Sequence, residues 1–233
     1  IVNHMRLEIE PDLGEQSISC KQELEITAIR DTDTVELDAA ELAIKSVSSS
    51  NKKLAFRAVG DRLTIKLGKV MKEASRQRLA LVYTAKPRKG FYFVGPDKHY
   101  PDKRLEAWTQ GETTEARHWF PCIDHPQVKF SSEITVTVPA GFTAISNGTL
   151  LKVEKGKKWK YFWREDNPHP SYLASVVVGK YVEINEGNLY HYVPAEHAHD
   201  AKRTFDRTAE MIEFFEDYLG TKYPFANYSQ VCV

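Results

Sequence analysis

The chain has 233 residues, with 32 Lys+Arg against 32 Asp+Glu and therefore no formal net charge. That balance excludes phosphate-driven attraction as the default mode of action, because nucleic-acid binders usually carry a basic excess. No apolar run approaches the roughly 18 residues that span a bilayer, so a transmembrane segment is excluded too. A hydrophobic share of 42% and a charged share of 27% are ordinary for a folded chain.

The three cysteines, Cys20, Cys122 and Cys232, are odd in number and far apart. They make no disulfide framework, and a reducing, cytoplasmic setting is expected. The chain begins at Ile1 and ends in the apolar run Val231-Cys232-Val233, which reads as a piece of a longer protein.

Residues 1 to about 190 read as strands and turns. Turn clusters fall at Pro11–Gly14, Val59–Asp61, Ser146–Gly148 and Glu186–Asn188. Between them, Leu63, Ile65 and Leu67 alternate with Thr64 and Lys66, and Leu79, Leu81 and Tyr83 with Arg78, Ala80 and Val82. Lys86–Lys103 breaks the rhythm with five Pro and Gly residues among aromatics, and is expected to be an ordered loop. The alternation resumes at Ile134, Val136 and Val138, and again at Trp159, Tyr161 and Trp163. A period of two with one apolar face predicts half-buried antiparallel strands in a sandwich or several stacked sheets.

The character changes after Pro194. Phe205, Ala209, Ile212, Phe215 and Leu219 recur at spacings of three and four, which predicts one helix from about Asp200 to Leu219. Gly220 stops it, with Pro224 soon after. The expected organisation is a β-rich domain over 1–193 and the start of a second domain over 194–233.

The densest chemistry lies between Trp108 and Phe130. His118, Cys122, Asp124 and His125 invite a cysteine–histidine or a metal reading. Pro121 beside Cys122 suits a buried turn better than an activated thiol, and the zinc spacings Cys-x-x-Cys and His-Glu-x-x-His occur nowhere. His197 and His199, two apart, do not share a helix face. The favoured reading of Cys122, Asp124 and Pro126 is structural. Gln110 and Glu112 differ. If Trp108–Glu112 is extended, both point to one side, and an amide beside a carboxylate can hold a primary ammonium. On spacing alone, a solvated polar strand face is the favoured reading of the pair.

Thr109-Gln110-x-Glu112, then Ala116-Arg117, then Phe120-Pro121-Cys122-x-Asp124-x-Pro126 with Lys129, resembles the N-terminal domain of the aminopeptidase N family. These are gluzincin metallopeptidases, with leukotriene-type epoxide hydrolases among their relatives. Leu37-Asp38-Ala39, Gly90-Phe91-Tyr92, Ser146-Asn147-Gly148, Pro170–Gly179 and Phe214–Val233 resemble further stretches of the same family. The chain departs from the family at His125, where an acidic residue is common, and at Gly111, where a bulky one is.

The resemblance implies a mainly β, saddle-shaped, multi-sheet and sandwich-like domain, followed by the first helix of an α+β thermolysin-like catalytic domain. It places the zinc ligands and the exopeptidase motif Gly-x-Met-Glu-Asn in that second domain, so the chain is expected to stop just short of them. On this reading the segment binds no zinc, carries no catalytic residue and is inactive alone. Its parent is a zinc metallo-aminopeptidase acting on peptides with a free N-terminus. Its partners are those peptides and its own catalytic domain. Its share of the active site is substrate binding by Gln110 and Glu112, with Glu112 attracting the N-terminal ammonium. The epoxide-hydrolase relatives have Gln where Glu112 stands. The alternatives are a non-catalytic scaffold resembling a subunit of the general transcription initiation machinery, with Gln110 and Glu112 as relics, and a free-standing β-sandwich binding module. The helix after Pro194 argues against the latter. Asn147-Gly148-Thr149 and Asn227-Tyr228-Ser229 match glycosylation acceptors, against which the odd cysteine count weighs.

Overall fold

A computed structural model describes the whole chain, residues 1–233. In order, the strands are β1 (Val2–Asp12), β2 (Ser17–Thr27), β3 (Thr32–Asp38), β4 (Leu42–Ser49), β5 (Lys52–Lys53), β6 (Phe56–Val59), β7 (Arg62–Met71), β8 (Arg76–Ala85), β9 (Phe91–Val94) and β10 (Glu106–Thr109). After a 3-10 turn at Ala116–His118 come β11 (Lys129–Pro139), β12 (Thr143–Ser146), β13 (Thr149–Glu154) and β14 (Lys158–Pro170). A second 3-10 turn, Ser171–Leu173, leads into β15 (Val176–Gly179), β16 (Val182–Glu186) and β17 (Leu189–Val193). The helices α1 (Ala201–Phe205) and α2 (Thr208–Leu219) precede β18 (Tyr228–Val231).

The largest sheet has eight strands in the order β13-β14-β11-β1-β2-β8-β4-β5. Alternation decides which face of each strand is buried. Ile18, Cys20, Gln22, Leu24 and Ile26 point inward from β2, Leu79, Leu81, Tyr83 and Ala85 from β8, and Ile134, Val136 and Val138 from β11. On β1 the period slips. Val2 and Met5 are both buried although three apart, because the register with β2 shifts between Val2 and His4. The pair β1–β11 is parallel within an otherwise antiparallel sheet.

Three smaller sheets complete the chain: β12-β15-β10-β9, β3-β7-β6 and β16-β17-β18. Their inward residues, such as Leu37, Leu63, Ile65, Phe91, Ala107, Val176 and Tyr192, join those of the large sheet in one contiguous apolar core. Each fully buried Leu or Ile in it contributes about 1.5–3 kcal/mol. The mainly β, multi-sheet expectation therefore holds, and each of the four turn clusters spans the end of one strand and the link to the next.

Two local expectations are corrected. The stretch Lys86–Lys103 is not wholly loop: it contains β9, because Phe91 is fully buried against Phe93 and Trp119 (ring centroids 5.1 and 5.9 Å). The single helix is two, with a break at Asp206–Arg207. Gly220 does end α2, in the left-handed conformation. The apolar face of α2 is not covered within this chain: Phe214, Phe215, Tyr218 and Leu219 are all exposed. No helix is long and apolar enough to cross a membrane. Finally, β18 pairs in parallel with β17, so the two sides of the expected boundary at 193/194 share a sheet.

Candidate functional site

β10 ends at Thr109, and Glu112–Glu115 form a turn. The pair Gln110 and Glu112 thus sits on the loop leaving β10 rather than along an extended strand, and both residues are exposed. The Gln110 N–H donates to Gly90 O at 3.0 Å, and the Glu115 N–H to Gly111 O at 2.9 Å. The Gln110 side-chain Oε1 accepts the Glu112 backbone N–H at 3.1 Å. That engages one lone pair of the oxygen expected to face a ligand and leaves the other free. The Glu112–Thr113 peptide is cis. The Glu112 carboxylate pairs with no cation of the chain; the nearby Lys89 lies beside Glu115 instead, at 3.7 Å.

The loop is held from two sides by close backbone approach. Gly90 has φ +72°, and a Cβ there would lie 2.1 Å from Glu115 O. A Cβ on Gly111 would lie 2.8 Å from both Cα and O of Tyr172. The departure at Gly111 therefore has a steric cause in this chain: no side chain fits between the loop and the 3-10 turn Ser171–Leu173. Tyr92 adds a further tie, donating from Oη to Glu115 Oε2 at 2.9 Å while its ring packs on Trp108 at 4.7 Å. Trp108 stands two residues before Gln110, among the last strand residues before the loop.

Behind the loop lies a buried polar cluster. The Asp124 side chain is fully buried. Its Oδ2 accepts from Arg117 Nε at 3.0 Å and from the Arg117 backbone N–H at 3.3 Å, and its Oδ1 accepts from Ser171 Oγ at 2.7 Å. The Asp124 N–H donates to Asp38 Oδ2 at 2.9 Å. Asp38 and Cys122 also exchange backbone hydrogen bonds at 2.7 and 3.0 Å, which fastens the end of β3 to the Pro121–Asp124 turn. The residues of the Pro-Cys-x-Asp motif are thus mortar, as their structural reading expects. The Cys122 thiol is buried, and burial, with Asp124 and Asp38 nearby, pushes its pKa well above the usual thiol value. A thiol buried and kept protonated in this way is poorly suited to nucleophilic attack. His118 lies 3.4 Å from Glu41, away from Asp124.

No three His, Cys, Asp or Glu side chains converge as metal ligands would. These residues do not fit a zinc centre. Asp38 and Ser171, which tie the cluster together, are 86 and 47 residues from Asp124 in sequence. No local motif could have marked them as its partners.

Over residues 2–173, which include the whole of this loop and cluster, the chain matches the family described as the peptidase M1 N-terminal domain. The chain belongs to that family. Human aminopeptidase B is 30% identical over 132 residues, covering 57% of this chain and 20% of that protein. Aminopeptidase M1 of Arabidopsis thaliana is 26% identical over 247 aligned residues, covering 97% of this chain and 28% of the relative. A probable aminopeptidase 2 of Sulfurisphaera tokodaii is 30% identical over 194 residues, covering 81% and 24%. The M1 N-terminal domain described here therefore spans about a quarter of the length of these relatives.

Proposed function

We propose that this M1 N-terminal domain is the substrate-facing part of a zinc-dependent aminopeptidase, and that Glu112, with Gln110, receives the free N-terminal ammonium of a peptide. The observation that carries this is the Glu112 carboxylate. It is exposed and unpaired, on a loop pinned by Gly90, Gly111 and the Arg117–Asp124–Ser171 cluster. The loop backbone is held in place while the carboxylate itself has no internal partner, which leaves it available to an incoming cation. The ammonium fixes the first residue of the peptide relative to the scissile bond, and misplacement by about 1 Å can cost on the order of a hundredfold in rate. A non-catalytic scaffold of the same fold has no use for such a group.

The hydrolytic chemistry of this enzyme belongs to a zinc centre that these residues do not form, so the segment alone is inactive. The exposed aromatic face of α2 supports residues 194–233 as the opening of that second, catalytic domain. Three free thiols, two of them buried, support a reducing cytoplasmic setting. The test is Glu112→Gln in the complete protein. kcat/KM on peptides with a free amine should fall roughly ten- to hundredfold, the value of one charge-assisted hydrogen bond, with KM raised and turnover lowered. Kinetics equal to those of the parent would remove Glu112 from the assignment.

A further inference from the structure

Glu165 interrupts an apolar row. The inward positions of β14 are Tyr161, Trp163 and Glu165, exposed by only 7%, 5% and 6%. A carboxylate at such a position is costly unless it is paired or well hydrogen-bonded. Within the chain it has little compensation. Its Oε1 accepts the Asn167 N–H at 2.7 Å, while the adjacent Arg164 pairs with Asp166 at 2.7 Å. No Lys or Arg forms an ion pair with it. His169 is not its counter-charge either. Nδ1 of His169 lies 3.1 Å from Pro170 O and Nε2 lies 3.1 Å from Ser132 Oγ, which commits both nitrogens of a neutral ring. Burial also lowers the His169 pKa.

The carboxylate lines a cavity of about 460 Å³, together with His169, Leu173, Tyr223, Phe225 and Tyr228. Tyr223 packs against Phe225 at 5.5 Å and edge-on against Tyr228 at 5.9 Å. The segment bearing these rings is fastened across the cavity by two hydrogen bonds. Asn227 Nδ2 donates to Gly148 O at 2.9 Å, and Asn167 Nδ2 to Pro224 O at 3.1 Å. Burial raises the Tyr223 phenol pKa, helped by the negative potential of Tyr228 and Glu165.

We infer that this cavity is a binding site for an organic cation, an ammonium or guanidinium group, with Glu165 as counter-charge and Tyr223, Phe225 and Tyr228 as aromatic wall. A carboxylate without a cation and aromatic rings lining the same cavity are the two elements of such recognition. The cation is either that of a free amine or that of a Lys or Arg side chain of a polypeptide. The site is separate from Glu112 and does not depend on the aminopeptidase assignment.

The test is a titration of the protein followed by amide NMR at Gly148, Asn167 and Ser175. The probes are butylammonium for a free amine, N-acetyl-argininamide for a side chain, and 1-butanol as the neutral control. Saturable shifts with at least one cation are expected, and none with butanol. Binding should weaken on the order of tenfold in Glu165→Gln, weaken in Tyr223→Leu, and remain unchanged in Glu112→Gln. Which cation binds tighter identifies the source. Equal response to butanol, or binding that survives Glu165→Gln or vanishes in Glu112→Gln, would overturn the inference. Without any cation, Glu165→Gln should melt no lower than the parent, because Gln still accepts the Asn167 N–H and an uncompensated charge is gone. A lower melting temperature would make Glu165 an internal structural group and overturn it as well.

Discussion

Asp124 offers the sharpest measure of how the site loop is held. Replacing it by Ala removes the acceptor of three hydrogen bonds, two from Arg117 and one from Ser171, all at 2.7–3.3 Å. Breaking a buried ion pair from one side costs about 3–5 kcal/mol, because the partner charge is left uncompensated. Two facts reduce that here. The Arg117 side chain is 21% exposed, and it keeps Asp38 at 3.6 Å as a second carboxylate. The expected loss for Asp124→Ala is therefore about 3 kcal/mol, and for Asp124→Asn about 2 kcal/mol, since the amide still accepts one bond. In a chain of this size, 3 kcal/mol corresponds to roughly 6–12 °C in melting temperature. Calorimetry or far-UV dichroism measures it directly, with urea midpoints as a check. A loss below about 1 kcal/mol in Asp124→Ala would refute the reasoning, because the cluster would then behave like an exposed ion pair rather than a buried one.

Other expected outcomes follow from burial and close approach. Gly111→Ala should destabilise by about 1–3 kcal/mol as the loop is forced off Tyr172; an unmoved urea midpoint would mean the Ser171–Leu173 turn yields freely. Stability should be complete above pH 6.5 and decline as pH falls below it. Burial lowers the folded pKa of His169, and of His4, below the usual 6.5, so only the unfolded chain takes up those protons. Urea midpoints between pH 7.5 and 5.5 should show this decline, and His169→Gln should flatten it. Native protein at pH 8 should expose one reactive thiol, Cys232, against three in urea. Cys20 and Cys122 are buried, with the Cys20 pKa pushed up to about 12. Labelling of Cys122 in the native state would contradict its place in the core.

Much of the architecture was legible in the sequence. The rows at Leu63–Leu67, Leu79–Tyr83, Ile134–Val138 and Trp159–Trp163 all became strands, because a two-residue period can bury one face only in an extended chain. Turn chemistry marked three hairpin ends and, at Ser146–Gly148, the link by which the chain passes from one sheet to another. Motif order from Thr109 to Lys129 identified the family, since it depends on residue identity and not on geometry. The helix was legible as a period but not as a boundary, and its apolar face has no cover within these residues. β9 was hidden inside a Pro- and Gly-rich stretch, because burial of Phe91 draws on the distant Trp119 as well as on its neighbour Phe93. The bulge in β1 was equally invisible, since register depends on the partner strand.

What the sequence by itself determined is the mainly β class, the places where strands turn, and the residues Gln110 and Glu112 as candidates. What only the tertiary structure decided is how those two residues are held, and the physical reason is distance along the chain. Asp38, Asp124 and Ser171 meet only after three sheets have packed. Gly111 meets Tyr172 from 61 positions away along the chain, at a point where a single Cβ would be too much. Hydrogen bonds and steric limits act over a few ångströms, and no local pattern reveals which remote residue will supply them.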